Sequence, residues 1–335
     1  MKLVFYSPNF YPLVGGLEGF LMDLAASLTN LNVKVTVVTL TPHDKTDNYP
    51  FTILRNPSLL AIRKEILSAD YFLQFNVSLK GIPAWLLSRR RLVVVHQNVV
   101  GKGIRERVKQ FVADNWSHLN IGCSAYIAQH YKRSLPIPNG YNEKEFHTDK
   151  SWANRPHDLL YVGRLVSDKG CDTLLRGLAI LRDKGLIYKL NMIGKGEEEP
   201  KLRALTKELG LENQVTFWGQ LPREELNVIM NDHKILIVPS RYEEPFGIVA
   251  LEGLAAGCFT IVSKYGGLRE AIGPCGLTFP NSDAAALADC IQKGLTDKAL
   301  RDTCFAEVPQ HLAKHTKDAI AKRYLEVLYP NNGEV

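Results

Sequence analysis

Residues 234–252 read KILIVPSRYEEPFGIVALE. Ile235 to Val238 form a short, wholly apolar run, the pattern of a parallel strand buried on both faces. Pro239 lacks a ladder N–H and stops the strand. A polar loop carrying Glu244 follows, and Gly247 then opens an apolar helix that contains Glu252. The first N–H groups of such a helix have no partner inside it and lie at the positive end of its dipole, which suits them to an anion such as phosphate. Gly247 lets a ligand approach the backbone closely. One carboxylate in the loop and another about a turn into the helix are placed to accept hydrogen bonds from two different polyols. Taken singly, each glutamate reads as an ordinary surface charge; the pair in this setting reads as a binding site.

Working outward, the strand–loop–helix unit repeats in both directions. Strands are predicted at 2–6, 33–40, 71–77, 91–96 and 118–123, then at 159–163, 188–193, 215–218, 259–263 and 276–279, with helices between. That alternation makes the chain α/β, with parallel sheets covered by helices on both faces. Turn-forming residues across 134–158 (Pro136, Pro138, Asn139-Gly140, Pro156) mark a hinge. The prediction is two doubly wound domains, 1–150 and 151–315, facing each other across a central cleft where ligands bind at the strand carboxyl ends. A last helix, within 316–335, either caps the second domain or crosses back to the first.

Composition agrees with a globular protein: 45% of residues are apolar and 23% charged. The start, Met1-Lys2 running straight into a strand, has no signal-peptide pattern, and no apolar run approaches the ~20 residues that span a bilayer. The six cysteines (Cys123, Cys171, Cys258, Cys275, Cys290, Cys304) are scattered. They read as reduced thiols of a cytoplasmic protein and not as a disulfide or zinc framework. The net charge of +6 sits wholly in residues 1–150, much of it in Arg89, Arg90, Arg91, Lys102, Arg105, Arg107 and Lys109. This is either a solvated face or a surface for an anionic partner, a phosphorylated lipid or a membrane. Nucleic acid is disfavoured, because no recognition motif accompanies the charge.

Further candidates stand at other strand ends. Arg164 and Lys169 follow the strand ending at Gly163 and can neutralise a diphosphate, one as a fork and one as a point charge. Gly15-Gly16 after the first strand is either a tight turn or a phosphate-approach site, and Gly194-Lys195-Gly196 is equally ambiguous. His96 ends the run Leu92 to Val95 and is either a ligand-facing residue or a hydrogen-bonded histidine at a domain boundary. There is no Asp-x-Asp pair, no H-E-x-x-H, no phosphate-loop ATPase motif and no nucleophile elbow.

Taken together, these residues resemble retaining glycosyltransferase family 4, which has the GT-B fold. Besides Glu244 to Glu252, the resemblance rests on Pro12 to Gly16 with Glu18, Ile137 to Asn142, Tyr161 to Gly170, Val215 to Gly219 and Gly266 to Glu270, in family order. It implies that Arg164 and Lys169 hold the donor diphosphate and that Glu252 holds the ribose hydroxyls. Glu244, with the backbone of Phe246, Gly247 and Ile248 and the neighbouring Val249, is implied to hold the sugar and β-phosphate. Leu221 would lie near the base, Gly16 would present N–H groups to the phosphates from the opposite domain, and His96 would lie near the transferred sugar.

The sequence departs from the family at Glu252-Gly253-Leu254-Ala255 and Cys258-Phe259, and its first half is short. The expected reaction is metal-independent hexose transfer, with no cofactor, from a nucleotide diphosphate sugar. UDP-glucose is the donor suggested by family frequency. The acceptor is a saccharide or lipid-linked saccharide at the inner face of a membrane, in polysaccharide biosynthesis. Glycoside hydrolysis would leave the paired cations without a use. Nucleotide-sugar epimerisation and a non-catalytic binding homologue are the remaining rivals.

Overall fold

The computed structural model describes residues 1–13, 15–43, 48–99, 101 and 103–330; Lys102 of the basic stretch and residues 331–335 lie outside them. The chain divides into one unit of Met1–Tyr141 with the residues from His315 on, and a second unit of Asn142–Lys314.

The first unit is built on seven parallel strands: β1 (Lys2–Tyr6), β2 (Lys34–Thr39), β3 (Thr52–Arg55), β4 (Tyr71–Phe75), β5 (Arg91–His96), β6 (Leu119–Gly122) and β7 (Ser134–Pro136). Their order is β3-β2-β1-β4-β5-β6-β7. The central strands are buried along nearly their whole length, as their continuous Val, Leu and Phe runs require. The two edge strands were not predicted. Strand β3 has four residues and is only half-buried. Strand β7 lies inside the predicted hinge and ends on Pro136, which an edge strand tolerates because no outer neighbour needs its N–H.

Helix Lys317–Leu328 belongs to this unit. It buries Ile320, Ala321, Tyr324 and Leu328. Ser27 Oγ, in helix Gly16–Asn30, donates to Asp318 Oδ1 at 2.6 Å, and Tyr71 Oη donates to the Leu328 carbonyl at 2.6 Å. The turn Pro138-Asn139-Gly140 receives it: Tyr141 N donates to the His315 carbonyl and Lys317 N to the Tyr141 carbonyl. A Cβ on Gly140 would stand 3.1 Å from that same His315 oxygen.

The second unit has six parallel strands: β8 (His157–Val162), β9 (Leu190–Ile193), β10 (Val215–Gly219), β11 (His233–Val238), β12 (Phe259–Ser263) and β13 (Gly276–Phe279). Their order is β10-β9-β8-β11-β12-β13. Ile235 and Ile237 of β11 join Leu159, Met192 and Ile261 in the core under helices Cys171–Asp183 and Ala284–Thr296. Leu236, between them, faces the other way, towards helix Ile248–Ala255. There a Cβ on Gly253 would lie 2.2 Å from Leu236 Cδ2. Glycine at 253, a departure from the family pattern, thus makes room for a larger neighbour.

Residues 142–150, predicted with the first domain, pack in the second. Backbone N–H groups of His147 and Asp149 donate to Asn227 Oδ1 and Asn231 Oδ1, and Thr148 Oγ1 donates to the Ala255 carbonyl. Arg155, buried, fixes the same segment by donating to the carbonyls of Lys150, Met230, His233 and Ala256. Burial holds its guanidinium pKa below the usual value. Apart from the Arg155–Lys150 bond, these join side chains and backbone 75 to 107 residues apart, so no local pattern marks the boundary.

Candidate donor site at the switch point of the second sheet

In the second sheet β8 and β11 are neighbours, and the strand order runs outward from them in both directions. Ligands of open α/β sheets bind outside the strand carboxyl ends at such a point. The loop after β8 carries Arg164 and Lys169; the loop after β11 carries Glu244. The topology therefore brings together two segments that the sequence marked separately.

Several contacts pin the β8 loop. Tyr161 Oη donates to the Arg164 carbonyl at 2.8 Å. Gly170, with φ +64°, closes a short 3-10 turn and leads into helix Cys171–Asp183. Its missing Cβ would stand 2.1 Å from the Pro239 carbonyl; glycine thus allows the two loops to touch, backbone to backbone. Arg241 N also donates to the Asp168 carbonyl at 2.8 Å. The pair Gly194 and Gly196 serves the same end, since Cβ atoms there would meet the carbonyls of Gly163 and Leu165 at 1.8 and 2.1 Å. Lys195 between them is exposed, a third cation at this edge of the sheet. Cys171 is a core thiol, pushed up to about 12 by burial.

Glu244 is buried. Lys169 Nζ lies 2.6 Å from its Oε1, and the Ser240 hydroxyl donates to the same oxygen. The Lys169 ammonium also stands 5.4 Å from the centre of the Tyr242 ring. The backbone of Glu244 is held by Gly266-Gly267: Gly267 N donates to its carbonyl at 2.7 Å, and a Cβ on Gly266 would meet that carbonyl at 2.6 Å. Just beyond, Gly247 (φ +102°) caps helix Ile248–Ala255, whose start has no side-chain cap. The first-turn N–H groups, including those of Ile248 and Val249, therefore have no side-chain cap, and Ile248 follows Glu244 by four residues.

Glu252 is buried one turn further on. Its Oε1 lies 3.1 Å from Arg223 Nη1, and Arg223 Nε donates to Glu145 Oε2 at 2.6 Å. The guanidinium is 5.2 Å from the centre of the Phe146 ring. Arg223 opens helix Arg223–Asp232, two residues after Leu221 in the loop that follows β10. Leu221 thus stands two residues before the cation that meets Glu252. Neither Arg223 nor Glu145 was predicted; 78 residues separate them, and no motif joins them.

The first unit contains the other two predicted residues. Gly16 is the first residue of helix Gly16–Asn30, after an extended Gly15, so backbone N–H groups of its first turn are open. His96 is fixed from within the first unit. It is buried, stacked on Tyr131 at 3.5 Å between ring centres. Asn120 Nδ2 donates to the carbonyls of Ala113 and Lys132, which leaves Asn120 Oδ1 as acceptor for His96 Nε2–H at 2.9 Å. Burial lowers the His96 pKa to about 4, the Asn120 bond opposing the shift only in part, so the ring is neutral at pH 7. One ring nitrogen is thus committed to Asn120. Among the described residues no group of three His, Cys, Asp or Glu side chains is placed to hold a metal ion, and no helix is long and apolar enough to cross a membrane.

Doubly wound parallel α/β units of this kind make up the GT-B fold. The chain belongs to the glycosyl transferases group 1 family, whose model matches residues 142–311, just over half of it. It is similar to the D-inositol 3-phosphate glycosyltransferase of Corynebacterium urealyticum, 28% identical over 276 residues, which are 72% of this chain and 65% of that protein. It is also similar to the glycogen synthase of Mycobacterium tuberculosis, 35% identical over 146 residues, 43% of this chain and 35% of that one. The chain thus spans less than two thirds of the length of these curated relatives. Among solved structures, Anabaena HepE in complex with UDP shares the fold, with a TM-score of 0.82 at 20% identity over 98% of this chain and 100% of that one.

Proposed function

We propose that this protein is a retaining glycosyltransferase that moves a hexose from a nucleotide diphosphate sugar to a saccharide or lipid-linked saccharide in polysaccharide biosynthesis, with no metal and no cofactor. The observation that carries the reading is the second-unit switch point. There the Lys169–Glu244 pair stands at the loop that leads through Gly247 into the uncapped start of helix Ile248–Ala255, with buried Glu252 one turn further on. Glucose from UDP is the donor to test first, because HepE was solved with UDP-glucose.

The chemistry follows from the groups present. When the sugar–phosphate bond breaks, negative charge builds on the β-phosphate. Arg164, Lys169 and the helix-start N–H groups of Gly247, Ile248 and Val249 are the donors for that charge, each worth about 10²–10³ in rate when preorganised. Glu244, freed from Lys169 as the lysine turns to phosphate, accepts from the sugar hydroxyls with the backbone at Phe246. Glu252 accepts from the ribose hydroxyls, and Leu221 packs on the base. Gly16 offers first-turn N–H groups of the other unit to phosphate in the same manner. His96, neutral and oriented by Asn120 through Nε2, is the positioning residue we place near the transferred sugar. The acceptor is placed at the cytoplasmic face of a membrane, consistent with the basic first unit.

The test is a binding panel of UDP, GDP, ADP and their hexose conjugates in EDTA, with wild type and Glu252→Ala. Tight binding of one nucleotide, weakened by the substitution, supports the reading. Binding to none, or only with added magnesium or manganese, overturns its metal-free form.

A further inference from the structure

The first unit carries a second feature that the donor chemistry does not use. In helix Ile104–Trp116 only Val112 and Ala113 are buried. Ile104, Val108 and Phe111 stand four and three residues apart, the spacing of one helix face, and that face is turned outward. Ile104 is 81% exposed and Phe111 57%. Large apolar side chains in contiguous exposed patches mark an interaction surface.

The patch continues across neighbouring elements. Phe111 meets Trp116 edge-on at 6.1 Å, and Trp116 stacks on Trp85 of helix Ile82–Leu86 at 6.2 Å. Beyond Trp85, Leu87 is 64% exposed, and its carbonyl accepts from Arg63 Nε of helix Leu59–Leu67. That helix presents Leu60, 76% exposed. Cations are interspersed: Lys64, Arg105 and Arg107 are exposed, as are Arg89, Arg90 and Arg91. The acidic residues among them are engaged, Glu65 with Lys2 and Glu106 with Lys109.

We propose that this face binds the surface of an anionic lipid bilayer, with Leu60, Leu87, Ile104 and Phe111 entering the headgroup boundary and the cations resting on lipid phosphates. An outward apolar stripe flanked by Arg and Lys is the pattern of an interfacial helix. A second copy of the chain would bring the same positive charge against itself. A nucleic acid would match the cations but leave the aliphatic tips in water. The inference deepens the reading of a membrane-borne acceptor and rests on it, while its test uses no donor or acceptor.

The test is co-sedimentation of the full chain with vesicles of phosphatidylcholine alone or mixed with phosphatidylglycerol. Two triple variants are compared with wild type, Leu60→Ser/Ile104→Ser/Phe111→Ser and Lys64→Gln/Arg105→Gln/Arg107→Gln, with UDP binding measured in parallel. Wild type is expected to bind the mixed vesicles, weakly or not at all the neutral ones, and to release as salt rises. Each cation removed weakens partitioning about fivefold, so the charge variant loses about a hundredfold. The apolar variant loses about tenfold or more. UDP binding stays unchanged in both; its failure in all three proteins would count against the donor reading alone. No binding of wild type to anionic vesicles, equal binding by the variants, or concentration-dependent self-association that the apolar variant abolishes would overturn the proposal.

Discussion

Replacing Lys169 by Met removes the cation beside Glu244 and keeps most of the side chain's length. The carboxylate is buried and retains the Ser240 hydroxyl. Breaking a buried pair from one side costs about 3–5 kcal/mol. The lysine end is partly open to water and one hydrogen bond survives, so a loss of about 2–3 kcal/mol is expected. For a unit of this size that lowers the unfolding midpoint by roughly 4–12 °C. Adding Glu244→Gln removes the orphaned charge and keeps an acceptor for Ser240, so the double variant should return to within about 1 kcal/mol of wild type. Stability is read by thermal and urea unfolding, and function by UDP-sugar binding and turnover. Both proteins should turn over about 10²–10³-fold more slowly, the double variant despite its recovered stability. A double variant as unstable as the single one would show that the lysine acts by packing and not by charge. An unaltered midpoint for Lys169→Met would refute the buried-pair reasoning altogether.

Gly170→Ala should cost more than Gly185→Ala and should also weaken UDP binding. Both glycines have positive φ, but only Gly170 faces a carbonyl, at 2.1 Å, whereas nothing lies within 4 Å of Gly185. Urea titration should give about 1–2 kcal/mol for Gly185→Ala and a larger loss for Gly170→Ala. Arg223→Met should lower affinity for UDP but not for its 2′,3′-dideoxy analogue, because Arg223 touches Glu252, the proposed ribose acceptor; equal losses for both nucleotides in calorimetry would refute that route. Stability should fall in acid. His96 has a folded pKa of about 4 against an unfolded value of 6.5, so between those values the unfolded chain binds more protons. Stability is thus full above the unfolded pKa and declines as pH falls towards the folded one, by about 2 kcal/mol at pH 5. His233, lowered to about 4 by burial in the second unit, acts the same way. His96→Gln should flatten the slope for the first unit, measured by urea unfolding from pH 7.5 to 5.

What the sequence made legible was what is local. The β11–loop–helix segment could be read because its strand, its polar loop and Gly247 are contiguous. Glu244 and Glu252 could be paired in advance for the same reason. The central strands were visible as apolar runs, whereas β3 is a short, half-buried edge and β7 a short, largely exposed one, and the pairing of each depends on a neighbour already in place. The unit boundary depends on Asn227 and Asn231 capturing residues 147–150, and Arg223 meets Glu252 only after β10 and β11 have taken their places. At His96 position alone was indecisive. The ring's surroundings, Tyr131 and Asn120, come from other elements and decide which way it turns.

The placement of helix Lys317–Leu328 has a bearing on biosynthesis. The second unit is one continuous stretch, Asn142–Lys314, whereas the first needs residues from both sides of it. On the ribosome, where domains usually mature from the N-terminus onward, the first unit must wait with the groove along helix Gly16–Asn30 uncovered until the whole second unit has emerged. A nascent chain released before residue 315 would carry a folded second unit and an unfinished first one, with the sides of Phe20 and Leu24 that meet Lys317 and Ile320 uncovered and open to chaperones.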